Sequence, residues 1–170
     1  MSSKTLKGNH VKTALAHSRT IFISGIVLLV AVVLLNPTSR QAVVCSQFHT
    51  PTSDNVVFKN QKIAVEVAST EAAREKGLSD RPCIKDNQAM EFVFPASDKT
   101  NHCFWMKDMR FPIDIIWIDQ HNSVLTIAKV VKPDTYPHEF CPGEPTSYVL
   151  EMKAGATDRL KMLPGDFIRF

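Results

Sequence analysis

Five side chains between residues 81 and 151 have the types from which a binding site for a polar molecule could be built. An indole ring can stack on a sugar or another flat group, arginine and lysine can hold an anion, and carboxylates can accept hydrogen bonds or transfer protons. The sequence therefore predicts a site for a small polar or anionic ligand, such as a sugar or a peptide terminus. Its candidate residues are Arg81, Trp105, Lys107, Asp114 and Glu151.

Asp114 is the candidate with the most apolar surroundings. It lies within residues 113–119 (IDIIWID), which are apolar on both faces, as expected of a central strand. A buried carboxylate without a partner is costly, so Asp114 needs one, and Arg81 and Lys107 are the candidates. Two interpretations stay open. One is an internal ion pair that joins a loop to the sheet, and the other is a shallow pocket with Trp105 as its floor and Arg81 and Lys107 at its rim.

The residues give little support for catalysis. Ser79, Ser147 and Cys103 lie in no nucleophile motif such as GxSxG, and no set of Ser, His and Asp has a recognisable spacing. The sequence has no glycine loop that would cradle a phosphate and no metalloprotease histidine pair, so no cofactor is predicted. The alternative that stays open is a hydrolase-like enzyme that acts on envelope polymers or small exported metabolites through Asp114 or Glu151 with Arg81.

The four cysteines could form disulfides or help to bind a metal. They are an even set, no two of them form a CxxC pair, and the sequence alone does not choose among the three possible pairings of Cys45, Cys83, Cys103 and Cys141. At least one structural disulfide is predicted if this part of the chain is exported. A weaker alternative is a metal-handling domain with two nitrogen and two sulfur ligands, His102, Cys103, His138 and Cys141, although the spacing is not that of a zinc finger.

A long apolar stretch near the N-terminus predicts that export. Residues 20–39 carry no charge, and Ile21–Leu35 contains twelve Ile, Leu, Val or Phe residues. Twenty helical residues span about 30 Å, the thickness of a bilayer's hydrocarbon core, and the twelve residues favour insertion by roughly 4–7 kcal/mol. The sequence after Leu35 is a poor site for signal cleavage. A retained transmembrane anchor in the cell membrane is therefore predicted, and a cleaved, secreted form is the second possibility.

The distribution of charge gives the orientation and excludes one class of partner. Residues 1–19 contain four Lys or Arg and no acid, which predicts a cytoplasmic basic tip, whereas residues from Arg40 onward contain 16 Lys or Arg and 17 Asp or Glu. A nearly neutral exported part lacks the clustered cations of a nucleic-acid-binding surface. The bilayer is thus the predicted partner of residues 20–39, and no nucleic acid is predicted.

The exported part divides into a tether and a β-rich domain. Residues 40–55 lack periodicity and predict a flexible tether, followed by a domain over 56–170. Ser69 or Thr70 is expected to begin a short helix that Gly77 ends, and residues 156–161 could form another. Six or seven short strands predict a mainly β fold, a compact β-sandwich or barrel-like domain, with strands expected near 62–68, 90–94, 103–107, 113–119, 124–131, 148–152 and 167–170.

Several segments together resemble a known family. Phe104-Trp105-Met106-Lys107 followed by Phe111-Pro112-Ile113-Asp114-Ile115 resembles the FWMKNT-x-IPLDI signature of the prokaryotic domain-of-unknown-function family numbered one hundred and ninety-two, also called uncharacterised ancient conserved region proteins. Residues 77–81, 90–95, 148–155 and 164–166 are similar to further segments of that family, in the same order. Asp108 and Met109 stand where the family usually has Asn-Thr. The resemblance implies a small, mainly β fold, often exported, with no established reaction and no catalytic residues.

The most direct interpretation is a membrane-tethered extracytoplasmic β domain without catalysis, which binds a ligand or associates with the envelope. The hydrolase-like enzyme and the metal-handling domain are the alternatives.

Overall fold

The computed structural model describes residues 44–45, 54–98 and 100–170. The predicted basic tip (1–19), the predicted transmembrane segment (20–39) and most of the predicted tether lie outside the described residues. Within the residues that are described, no helix is both long enough and apolar enough to cross a membrane. The part from Val44 to Phe170 forms one compact unit.

The described domain is mainly β. Its strands are β1 (Asp54–Phe58), β2 (Gln61–Ala68), β3 (Gln88–Val93), β4 (Ile113–Ile118), β5 (Val124–Val131) and β6 (Tyr148–Lys153), and its helices are α1 (Glu71–Lys76) and α2 (Ala156–Leu160). The strands form one sheet in the order β1-β2-β3-β6-β4-β5, in which only the β2–β3 pair is parallel. The expectation of a mainly β domain with short strands and one or two short helices is confirmed, but the described strands form one sheet and not the two sheets of a β-sandwich.

The first helix connects the two parallel strands and is bounded by local signals in the sequence. The Thr70 side chain accepts a hydrogen bond from the Ala73 amide at 3.2 Å, and Glu71 lies in the first turn, where the helix end favours an acid. Gly77 ends the helix with φ +48°, a backbone conformation that favours glycine. Both predicted boundaries of α1 are thus confirmed.

Each face of the sheet carries its own hydrophobic cluster, because side chains alternate along every strand. In β4, Ile116 and Ile118 belong to a first core, together with Leu150 and Met152 of β6. The intervening residues of β4, including Trp117, belong to a second core, which contains Met90, Phe92, Met106 and Leu78. The sheet is therefore covered on both sides, which explains why β4 is fully buried.

Two predicted strands are reduced to isolated bridges. Of residues 103–107, only Phe104 pairs, with Phe140. In the predicted strand 167–170, Phe167 bridges Ser123 and Arg169 bridges Val57, so the C-terminal residues contact both the β1 and β5 sides of the sheet. Buried and more exposed side chains do alternate in both segments, since Met106 and Ile168 are buried. The two segments pack on the sheet, however, and add no strand to it. Strand β1 was not indicated by the sequence pattern.

All four cysteines are paired in the structure. The bonds join Cys45 to Cys83 and Cys103 to Cys141. The prediction of at least one structural disulfide is therefore confirmed, and the pairing that the sequence left open is now defined.

Candidate functional site

Two acids lie on the second-core face of the sheet, in one row across three strands. Glu66 of β2 is the register partner of Met90 in β3, and Met90 is in turn the partner of Glu151 in β6. Side chains at register positions share a face, so Glu66 and Glu151 point to the same side with Met90 between them. Their surroundings, however, differ.

Glu66 is neutralised by an ion pair. The Arg81 guanidinium donates from both terminal nitrogens to the two carboxylate oxygens, at 2.6 and 2.7 Å. The two side chains are only 17% and 22% exposed. This is the two-pronged geometry in which arginine binds a carboxylate most strongly, so the charge of Arg81 is committed to Glu66.

Glu151 has no comparable partner. Its residue is 4% exposed, and its Oε2 atom is buried without a hydrogen-bond partner among the residues that the structure describes. Burial raises the pKa of Glu151 to about 8, and the Arg81 charge opposes that rise only in part. At pH 7 the carboxyl is therefore mostly neutral and can donate a hydrogen bond.

Glu151 lines an open cleft of about 180 Å³. One side is the last turn of α1 and the residues that follow it, and the other is the segment around Trp105. The lining contains four charged residues, five large apolar residues and three small ones: Arg74, Glu75, Lys76, Gly77, Leu78, Ser79, Phe92, Cys103, Phe104, Trp105, Met109 and Glu151. Ligand sites combine aromatic side chains with a few polar groups, as this cleft does, and its volume suits only a small molecule.

Two hydrogen bonds to backbone carbonyls join the two sides of the cleft. The Ser79 hydroxyl donates to the Lys107 carbonyl at 2.9 Å, and the Asp80 amide donates to the Asp108 carbonyl at 2.8 Å. Asp108 adopts φ +56°, a conformation that short polar residues tolerate better than most. These bonds fix the segment that carries Trp105 against the end of α1.

Trp105 stands at the mouth of the cleft. It is 47% exposed, and its ring meets that of Tyr136 edge to face, with centroids 6.2 Å apart. The neighbouring residues hold the chain in place, since Phe104 and Phe140 exchange two backbone hydrogen bonds of 2.8 Å and the Cys103–Cys141 disulfide lies beside them. An exposed indole on an anchored segment can stack on a bound molecule.

Asp114 lies on the opposite face of the sheet, with the first core. It is fully buried and accepts four hydrogen bonds, from the amides of Val130, Gly155 and Thr157 at 2.9, 3.2 and 3.0 Å and from the Thr157 hydroxyl at 2.7 Å. The predicted pairing with Arg81 or Lys107 is therefore wrong. Amide groups at the start of α2 replace the expected cation, because they can reach a carboxylate that Arg81 and Lys107 cannot.

The five predicted site residues thus fall into three groups. Trp105 and Glu151 come together in the cleft. Arg81 is near Glu151 but is paired with Glu66, and it does not line the cleft. Lys107 is exposed outside the cleft, and Asp114 accepts hydrogen bonds from the start of α2. Since Asp114 and Glu151 point to opposite faces, they cannot act together on one bond.

The predicted metal ligands are engaged elsewhere. Both sulfur atoms of the proposed set form the Cys103–Cys141 bond, so they cannot act as thiolate ligands in this state. The His102 ring stacks on Phe94, with centroids 3.4 Å apart, and the His138 ring packs edge-on against Phe140. A carboxylate oxygen of Glu139 lies within 4.8 Å of the two sulfurs, but it is exposed.

Sequence reasoning missed Glu66 and Met109. Within the predicted strand 62–68, Glu66 resembles an ordinary solvent-facing residue, and the signal against that interpretation is weak. Its neighbours on that face, Ala64 and Ala68, are small, which leaves room for another segment to cover the strand. Met109 stands at a position where the resembling family has a smaller polar residue, and here it adds to the apolar wall of the cleft.

The chain is similar to several proteins. It matches the DUF192 family, described as an uncharacterised ACR, over residues 54–170. It is 30% identical over 105 residues, 61% of its length, to the UPF0127 protein TK1120 of Thermococcus kodakarensis, and that match spans 62% of the relative.

Two crystal structures share the fold, each with a TM-score of 0.63. One is a protein of unknown function from Novosphingobium aromaticivorans, with 28% identity over 68% of this chain and 84% of that chain. The other, from Sinorhizobium meliloti, is provisionally described as a transcription regulator, with 26% identity over 72% of this chain and 97% of that chain.

Proposed function

Because the chain belongs to the DUF192 family of uncharacterised proteins, we propose its function from the site itself: the domain binds a small polar molecule in the Glu151 cleft. The observation that carries this proposal is the Glu151 carboxyl, which is buried, lacks a partner for Oε2 and lines an open cleft. A buried polar group without a hydrogen bond costs roughly 1–3 kcal/mol. A ligand that supplied the missing bond would recover that energy.

The cleft has the composition of a binding site more than of a catalytic one. The two side chains in its lining that could act as nucleophiles are already engaged, since Cys103 is in a disulfide and the Ser79 hydroxyl donates to a backbone carbonyl. Of the two carboxyls in the lining, that of Glu75 is exposed to solvent and only that of Glu151 is buried, and the lining contains no histidine. Binding without catalysis is therefore the function that we assign.

We propose further that the domain works outside the cytoplasm, tethered to the membrane by residues 20–39. The apolar length of that segment and the four cations before it support this orientation. The two disulfides of the described domain support an oxidising compartment. Alkaline phosphatase fused after Phe170 should be active and β-galactosidase at the same position inactive; the reverse result would contradict the location.

Trp105 provides a direct test of the cleft. We would label the full-length protein with ¹⁵N and titrate it with methyl glucoside, acetyl-alanine methylamide, n-butylammonium and butyrate. At least one of the four should shift the Trp105 indole resonance, while the buried Trp117 should respond less. Met109→Phe narrows the cleft and should weaken that response at least tenfold, whereas Lys107→Ala, outside the cleft, should leave it within twofold. The proposal is wrong if no compound shifts Trp105, or if Met109→Phe responds like the wild type.

A further inference from the structure

We propose that the ligand of the cleft is a small organic ammonium ion, whose charged nitrogen meets Glu151 and whose apolar part lies against the Phe104 and Trp105 rings. This inference rests on the proposed binding function and specifies its ligand class. It replaces the small polar or anionic ligand that the sequence predicted, because Arg81 and Lys107, on which an anion would depend, do not line the cleft.

The base of the cleft offers a carboxyl and no free cation. Arg81, the cation whose charge acts on Glu151, donates from both terminal nitrogens to Glu66. Carboxyl groups buried in proteins are generally paired with a cation or hydrogen-bonded, and Glu151 has neither on Oε2. A ligand that brings a positive charge with N–H donors would supply both at once.

The walls of the cleft also favour a cation over an anion. Three aromatic rings line it, those of Phe92, Phe104 and Trp105, and the first two meet edge to face with centroids 4.8 Å apart. The face of an aromatic ring carries partial negative charge and attracts ammonium groups, with the strongest attraction from indole. An anion has no such attraction to an aromatic face.

The two cations at the lip already have hydrogen-bond partners within the protein. Arg74 donates to the carbonyls of Ser69 and Val93 at 2.7 and 3.0 Å. Lys76 forms an ion pair of 2.8 Å with Asp80. Glu75, the third charged residue of the lip, is exposed and adds a negative charge. The last turn of α1, which carries these residues, also presents the carbonyl end of a helix, where cations are favoured.

Binding an ammonium ion should displace a proton. The carboxyl of Glu151 is mostly protonated at pH 7, because burial raises its pKa to about 8. An ammonium ion beside it stabilises the carboxylate, so the carboxyl proton leaves to the buffer while the ligand keeps its own charge, and no covalent bond changes. Nearly one proton should be released for each ion bound at pH 7, and affinity should rise between pH 6 and pH 8.

The test compares three molecules of similar size that differ in charge: n-butylammonium, n-butanol and butyrate. Each is titrated into the full-length protein at pH 7, with the Trp105 indole resonance as the binding signal. Calorimetry in two buffers of different ionisation enthalpy counts the protons released. We expect n-butylammonium to bind at least tenfold more tightly than the other two and to release a proton.

Glu151→Gln keeps the size of the side chain but cannot ionise. It should weaken n-butylammonium binding at least tenfold, abolish proton release and change n-butanol binding less than threefold; a far-ultraviolet spectrum like that of the wild type establishes that the variant folds. Equal affinity for n-butanol or butyrate, binding without proton release, or an unaffected Glu151→Gln variant would each overturn the ammonium assignment. Binding of only the neutral or anionic compounds at Trp105 would leave the proposed function standing, whereas no response to any compound would refute both.

Discussion

The Arg81 guanidinium binds the Glu66 carboxylate through two hydrogen bonds of 2.6 and 2.7 Å, with Glu151 two strands away on the same face. The same arginine therefore neutralises one acid and leaves the other protonated at neutral pH. Both acids lie on the same covered face of the sheet. They differ in ionisation because Arg81 forms its ion pair with Glu66 and not with Glu151.

Removing the charge of Glu66 should change the ionisation of Glu151. Glu66→Gln frees the Arg81 charge, which lowers the pKa of Glu151 below about 8 because an unpaired cation nearby favours the carboxylate. The partly buried ion pair is lost, so the free energy of unfolding should fall by about 1–3 kcal/mol. A ¹³C titration of the carboxyl groups measures the first effect and urea unfolding the second. Glu144→Gln, at an exposed loop position, is the control and should change neither quantity.

The stability of the domain should fall as the pH rises from 6.5 to 8. The pKa of Glu151 is about 8 in the folded protein and near 4.5 in the unfolded chain, so in this range the unfolded state has lost a proton that the folded state retains. The slope approaches about 1.4 kcal/mol per pH unit only well below pH 8 and falls to half of that at pH 8. Glu91, whose pKa is raised to about 7 by burial and by the charge of Asp54, acts in the same direction up to that pH.

Glu151→Gln should remove most of this dependence, with a residual slope from Glu91. Unfolding by urea at pH 6.5, 7.0, 7.5 and 8.0 measures it. A variant as steep as the wild type between pH 7 and 8 would mean that Glu151 titrates elsewhere.

Asp114 should be important for stability but not for binding. Asp114→Asn replaces an acceptor of four hydrogen bonds by a side chain with an NH₂ group that faces other donors, so we expect a loss of about 3 kcal/mol. Asp158→Asn removes an ion pair between exposed side chains and should cost less than about 1 kcal/mol. Urea unfolding distinguishes them, and a cost for Asp114→Asn no larger than that of Asp158→Asn would contradict the prediction.

Adding a Cβ atom at Gly77 should destabilise the domain and disturb the cleft. The φ of +48° at Gly77 strains any side chain, and a Cβ there would lie 3.4 Å from Cζ of Phe92, which lines the cleft. Gly77→Ala should therefore destabilise the domain by about 1–2 kcal/mol and perturb the Trp105 indole resonance. Gly143→Ala is a matched control, because φ is +80° there but nothing lies within 4 Å of the added carbon. If both variants perturb Trp105 equally, contact with Phe92 is not the cause.

The two disulfides should contribute equally to the stability of the domain but differ in their effect on the cleft. Both link residues 38 positions apart, so loss of either should cost a similar amount, about 2–4 kcal/mol. Only the Cys103–Cys141 bond adjoins the cleft, through Cys103. The Cys103→Ser/Cys141→Ser double variant should increase acrylamide quenching of Trp105, and the Cys45→Ser/Cys83→Ser variant should not. Equal quenching in both would show that the bond does not hold Trp105.

The fold could be predicted from the sequence wherever a local signal decides the structure. Thr70 and Gly77 bound α1 through their own side chain and backbone preferences, and the unbroken apolar run of β4 matches its burial on both faces. Alternation alone was ambiguous. Residues 103–107 alternate because Phe104 and Met106 pack on the sheet, yet the segment pairs only through Phe104. The same alternation is expected of a strand within the sheet, so the sequence pattern does not distinguish a strand from a segment that packs on one.

The candidate site was predicted in part. Trp105 and Glu151 were identified as candidates by their residue types, but the partner of Asp114 could not be, because backbone amides from α2 carry no sequence signal. The choice of Arg81 between Glu66, Asp114 and Glu151 depends on which face each acid occupies. That requires the register of β2, β3, β4 and β6, a property of long-range pairing and not of any single segment.

The C-terminal residues contact the sheet at two separate places. Arg169 exchanges backbone hydrogen bonds with Val57 of β1, and the Ile168 amide donates to Asn122 just before β5. Strands β1 and β5 are the outermost strands of the sheet, and an outermost strand with free amide and carbonyl groups can recruit a strand from a neighbouring molecule. Deleting the last five residues would uncover part of both strands in one step, and the shortened protein would then be expected to self-associate.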